Sequence, residues 1–145
     1  MKGWTVTCGI ALGVWALGAL AHQGVQNPAV MARMNAMSAI ADATKTLGDM
    51  AKGSVSFDAP RAQAAAQALA EKAADVPGLF EAREDDPKSE ALPVIWETFE
   101  DFRQKTEEME AAALALTNVA DLGGLRAGMG ALGQSCKGCH QGYRK

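Results

Sequence analysis

Two thiols three residues apart, Cys136 and Cys139, are followed at once by His140 in the run Cys-Lys-Gly-Cys-His. Each thiol in such a run can add to a vinyl group of a porphyrin, and the adjoining imidazole can bind the iron. The three residues therefore read as an attachment motif for one c-type haem, covalently bound through Cys136 and Cys139 with His140 as an axial ligand. A structural zinc would need four protein ligands, and the remaining candidates, Cys8 and His22, lie in or beside an apolar N-terminal segment. A thioredoxin-like dithiol would follow a strand, and no strand pattern precedes Cys136. Covalent haem implies redox or small-ligand chemistry outside the cytoplasm.

The N-terminus agrees with that compartment. Met1-Lys2 opens an uncharged apolar run from Gly3 to Leu20, and Ala19-Leu20-Ala21 is a small-x-small pattern suited to signal peptidase. Residues 1–21 are expected to be a cleaved signal peptide, and residues 22–145 a single domain in the periplasm with no stable membrane insertion after cleavage. An uncleaved anchor helix is the alternative, since the run approaches the length of a bilayer span. Cleavage removes Cys8, leaving only the two haem cysteines, which explains an exported chain without a disulfide. It also removes Lys2 from the 14 Lys and Arg that face 17 Asp and Glu, so the mature chain carries a net charge of −4. Nucleic acid is a poor partner for that charge.

The elements that must position the motif are helical. The chain is rich in Ala, Met, Glu and Leu, with helical periodicity broken by Gly, Pro and Asp signals. Asn27-Pro28 caps a first helix running to about Ala51, before Gly53. Asp58-Ala59-Pro60 opens a second, which Pro77-Gly78 is expected to stop near Val76. An acidic stretch with Pro87 and no apolar face reads as a solvated connection from Glu81 to Leu92. Pro93 starts a third helix ending near Thr117, and Asp121 caps a fourth that carries the haem motif. Apolar residues recur at 4,3 spacing, as in Ala62, Ala66, Leu69, Ala73 and Val76, or Leu125, Met129, Leu132, Cys136, Cys139 and Tyr143. That is the seam of helices packed nearly antiparallel, so the fold class expected is an all-α, up-down-up-down four-helix bundle with the haem inside it.

In such a bundle the first helix runs beside the last, and its N-terminal part faces the haem. Met37, roughly 13 Å into that helix, lies at a height compatible with His140 and is the expected second axial ligand, with Met34 one turn earlier in reserve. The plainer reading of a Met at helical spacing is adaptable core filling. His/Met ligation would give low-spin iron and a raised reduction potential. Arg33, one turn before Met37, could pair with a haem propionate or simply lie solvated at the surface.

Four stretches resemble the class II cytochromes c, the cytochrome c′ family, along essentially all of the mature chain. They are Val30-Met31-Ala32-Arg33 with Met37, Ala51-Lys52-Gly53 with Phe57-Asp58, Pro93-Val94-Ile95-Trp96, and Cys136-Lys137-Gly138-Cys139-His140-Gln141-Gly142-Tyr143-Arg144. The resemblance implies thioethers at Cys136 and Cys139, a proximal ligand at His140 and a haem contact at Arg33. It also implies two branches, low-spin members with a Met ligand at the position of Met37 and five-coordinate members that bind gases. The Met predicts the former: a periplasmic monohaem electron carrier that turns over no substrate, with periplasmic redox proteins as partners and a homodimer allowed. The alternatives are a five-coordinate binder of nitric oxide or carbon monoxide, and a haem-free helical interaction module.

Overall fold

A computed structural model describes residues 24–145. The expected signal peptide, with Cys8 and His22, lies outside the described residues. Five helices follow one another: α1 (Pro28–Lys52), α2 (Ala59–Leu79), the single turn α3 (Val94–Glu97), α4 (Phe99–Leu114) and α5 (Leu122–Tyr143). Local chemistry sets most of their ends. The Asn27 side chain accepts hydrogen bonds from the amides of Ala29 and Val30, Asp58 accepts from Arg61, and Asp121 accepts from Gly124. Past α1, Gly53 adopts φ 79°, a left-handed conformation open to glycine at little cost, and returns its amide to Met50.

Two boundaries depart from expectation. Pro77 sits inside α2, which continues to Leu79. The missing amide costs one bond a turn from the end, while Arg33 Nε captures the Leu79 carbonyl at 2.9 Å and Trp96 Nε1 that of Phe80 at 2.8 Å. The third helix is broken at Thr98 (φ −129°, ψ 46°). Its hydroxyl lies 3.0 Å from the Val94 carbonyl and 3.0 Å from the Tyr143 hydroxyl, a local alternative to continuing the helix.

The long helices form a ring in which α1 packs on α2, α2 on α4, α4 on α5, and α5 on α1. Cross-links at their ends fit the antiparallel order: Arg126 Nε, early in α5, donates to the carbonyl of Ala51, late in α1, at 2.8 Å. At the other end the Leu92 amide, before α3, donates to the carbonyl of Tyr143, last in α5, at 2.9 Å. The result is the expected antiparallel four-helix bundle. Its core is the predicted seams, with Ala62, Ala66, Leu69, Ala73, Val76, Leu125 and Leu132 all buried. Among the described residues no helix is long and apolar enough to cross a membrane.

The connection before α3 is more than a solvated linker. Asp86 and Ser89 are buried within it, and the Asp86 carboxylate accepts from the amides of Gln26 at 2.8 Å, Asn27 at 3.0 Å and Lys88 at 2.8 Å. Farther on, Ala91 forms an antiparallel bridge with Arg144, whose guanidinium pairs with Glu90. One segment thus ties the start of α1 to the end of α5.

Candidate functional site

Between the helices lies a cavity of about 800 Å³, within the range of roughly 300–1,000 Å³ usual for cofactor and ligand sites. Cys136, Cys139 and His140 line it from α5, and Met34 and Met37 from α1. The cysteine placement follows from helical geometry: residues three and four apart share a face, and that face is the seam also occupied by Leu132 and Tyr143.

The donor chemistry fits a covalently attached porphyrin. Both thiols are free and half-buried against the core. Burial pushes the Cys139 thiol up to about 11, with the nearby Lys105 opposing, and raises that of Cys136 as well. They are neutral thiols at pH 7, poorly suited to redox exchange, which needs the thiolate. Among the described residues no cluster of three or more His, Cys, Asp or Glu could hold a metal ion on its own. The His140 imidazole is held below its ordinary range by burial and by the charge of Arg144, with Glu90 opposing. It is therefore mainly neutral at pH 7, the form that binds a metal.

The methionines are less discriminating than the sequence suggested. Met37 and Met34 line the cavity, and so do Met109 and Met129. Met50 lies in the core, 1 % exposed. The fold brings four flexible thioethers to one apolar cavity and singles out none.

Arg33 also lines the cavity, yet it is neither solvated nor free. It is 3 % exposed, and its Nε, Nη1 and Nη2 donate to the carbonyls of Leu79, Glu84 and Ala82 at 2.9, 2.8 and 2.6 Å. Its guanidinium carbon lies 4.7 Å from the Phe80 ring centroid and 5.3 Å from that of Trp96. Three of five N–H groups are thus spent on the end of α2 and the chain that follows it, so holding that turn is its first role. The surface reading is corrected: the carbonyls that would otherwise be orphaned at the end of α2 draw the side chain inward.

Sequence reasoning placed Tyr143 on the seam but missed its polar partners. The Tyr143 hydroxyl donates to Asp101 Oδ2 at 2.5 Å and lies 3.0 Å from Thr98 Oγ1. The periodicity marks which residues are buried; it carries no information on which helix offers an acceptor to a buried hydroxyl.

A family model described as Cytochrome C′ matches residues 28–144. Cytochrome c-554 of Cereibacter sphaeroides is 40% identical over 119 residues, covering 78% of this chain and 78% of that protein. The solved cytochrome c′ of Rhodopseudomonas palustris superposes with a TM-score of 0.76 at 30% identity, covering 83% of this chain and 98% of the other. A nitric oxide complex of a cytochrome c prime variant from Alcaligenes xylosoxidans gives a TM-score of 0.73 at 31% identity, covering 81% and 94%. These likenesses correct the expectation of a low-spin, His/Met-ligated electron carrier. The family model and both solved structures are of cytochrome c′, and a complex with nitric oxide needs a coordination position that a fixed sixth ligand would close.

Proposed function

Because the chain belongs to the cytochrome c′ family, whose members carry one covalently bound haem c, we propose that it is a periplasmic five-coordinate binder of nitric oxide or carbon monoxide. The observation that carries this reading is the apolar cavity shared by Cys136, Cys139 and His140 with the thioether-rich face of α1. When bound, the haem supplies an iron that can take a small diatomic ligand.

The residues act in distinct ways. Cys136 and Cys139 would anchor the porphyrin to α5, and the neutral imidazole of His140 would bind its iron. Met34 and Met37 line the cavity from α1 with apolar groups that bend without breaking packing, which would admit a small uncharged molecule and disfavour ions. Arg33, with two N–H groups beyond those spent on carbonyls, is available to a propionate. Export through residues 1–21 and association as a homodimer belong to the same proposal.

Visible spectra of the haem-matured protein test it. Broad, high-spin ferric and ferrous spectra, with carbon monoxide binding that requires no prior ligand loss, are expected. Sharp, split low-spin ferrous bands would overturn the open-face reading.

A further inference from the structure

Tyr143 is the single tyrosine of the chain, and its position is unusual for a residue that only fills a core. It is 7 % exposed and lines the cavity three residues beyond His140. Its ring meets Phe102 edge-on, with centroids 5.3 Å apart and planes at 85°. Its hydroxyl donates at 2.5 Å to a carboxylate, Asp101 Oδ2, whose residue is exposed in the first turn of α4. A phenol in the cofactor cavity is therefore joined by one short hydrogen bond to a base that reaches solvent.

We propose that Tyr143 is a one-electron donor to the haem site when a hydroperoxide oxidises it, with Asp101 as the acceptor of the phenolic proton. The bound haem would pass two electrons to the hydroperoxide, whose O–O bond breaks as two protons arrive from the buffered solvent, leaving an alcohol and a water molecule. Tyr143 returns one of those electrons, and an external one-electron reductant, a redox protein or ascorbate, returns the other. Its O–H bond breaks, the proton moves along the existing hydrogen bond to Asp101 Oδ2, and the products are a neutral phenoxyl radical and a neutral carboxylic acid. Loss of an electron alone would leave a buried cation in an apolar cavity, which desolvation opposes. Moving the proton to Asp101 in the same step keeps the buried ring neutral and delivers the charge change to the exposed carboxyl. The hydroxyl of Thr98 lies 3.0 Å from the phenol oxygen.

A purely structural tyrosine would make the same hydrogen bonds, so the test reads the radical itself. The haem-matured protein is mixed with hydrogen peroxide, frozen, and examined by electron paramagnetic resonance, with and without ring-deuterated tyrosine. A phenoxyl signal that narrows on deuteration is expected, and it can come from no other residue. Tyr143→Phe should abolish it. Asp101→Asn keeps a hydrogen-bond acceptor but not a base, and should slow its appearance by roughly a hundredfold or more, with Asp101→Glu restoring most of the rate. Absence of a phenoxyl signal in the unaltered protein would overturn the proposal without recourse to any variant. So would a radical unaffected by tyrosine deuteration, or an undiminished rate in Asp101→Asn.

Discussion

Arg33 lies face-on to Phe80, its guanidinium carbon 4.7 Å from the ring centroid, while its Nη2 donates to the Ala82 carbonyl two residues farther along at 2.6 Å. A residue of α1 thereby holds both the ring and the backbone of the turn that leaves α2. The planar fork is what allows three carbonyls in different directions to be met at once. Arg33→Lys keeps the charge but offers a single nitrogen, and should destabilise the protein by about 2–4 kcal/mol. Thermal unfolding of the haem-matured variant checks this, and a loss below about 1 kcal/mol would show that the turn holds itself.

Gly128 on α5 faces Leu116. A Cβ built at Gly128 would lie 2.3 Å from Leu116 Cδ2 and 3.0 Å from its Cγ, and Leu116 is 1 % exposed with little room to turn away. Gly128→Ala should therefore destabilise by about 1–3 kcal/mol despite the better helix propensity of alanine. Shortening the obstacle tests the cause: in a double-mutant cycle with Leu116→Ala the two losses should fall well short of adding. Additive losses would point to some other effect of the glycine.

The open-face reading makes a clear statement about Met37. With no thioether fixed to the iron, Met37→Leu and Met34→Leu should both leave the ferric protein high-spin, altering carbon monoxide binding only through the shape of the wall. Visible spectra before and after substitution decide it. A low-spin parent turned high-spin by Met37→Leu would return the thioether to the iron.

Asp86 gives a pH signature. Hydrogen bonds from the amides of Lys88, Gln26 and Asn27 hold its carboxyl below the usual carboxylate range. A carboxyl lowered by folding contributes stability that is complete above its unfolded value, about 3.9, and disappears as pH falls through the folded value. Asp86→Asn removes the titration. The difference in Tm between parent and variant should therefore be constant from pH 7 to about 5 and shrink below about pH 4. A difference independent of pH down to unfolding would mean that the charge of Asp86 contributes nothing.

Much of the fold was legible because its signals are local. Asn27, Asp58 and Asp121 cap helices by bonding amides two or three residues away, and the seam spacing places Cys136, Cys139 and Tyr143 on one face by helix geometry alone. The haem motif is local in the same sense, two thiols and an imidazole within one turn and a half of α5. The break at Thr98 and the run of α2 through Pro77 were not legible, because each depends on a group from another helix. Tyr143 supplies the hydroxyl beside Thr98, and Arg33 and Trp96 bond the carbonyls beyond Pro77.

The sequence by itself determined the bundle, the attachment motif and the face of α5 on which it sits, since helix periodicity and capping act within a few residues of each side chain. Only the tertiary structure decided where Arg33 spends its N–H groups and which carboxylate receives the hydroxyl of Tyr143. These partners lie more than 40 residues apart in the chain. Their meeting depends on the heights at which packed helices stop, and no short-range pattern encodes that. The thioethers mark the same boundary: the sequence turns Met34, Met37 and Met129 inward, whereas only the fold brings them, with Met109, to one cavity. A flexible apolar side chain announces burial by its period, but whether it binds iron depends on the space around it.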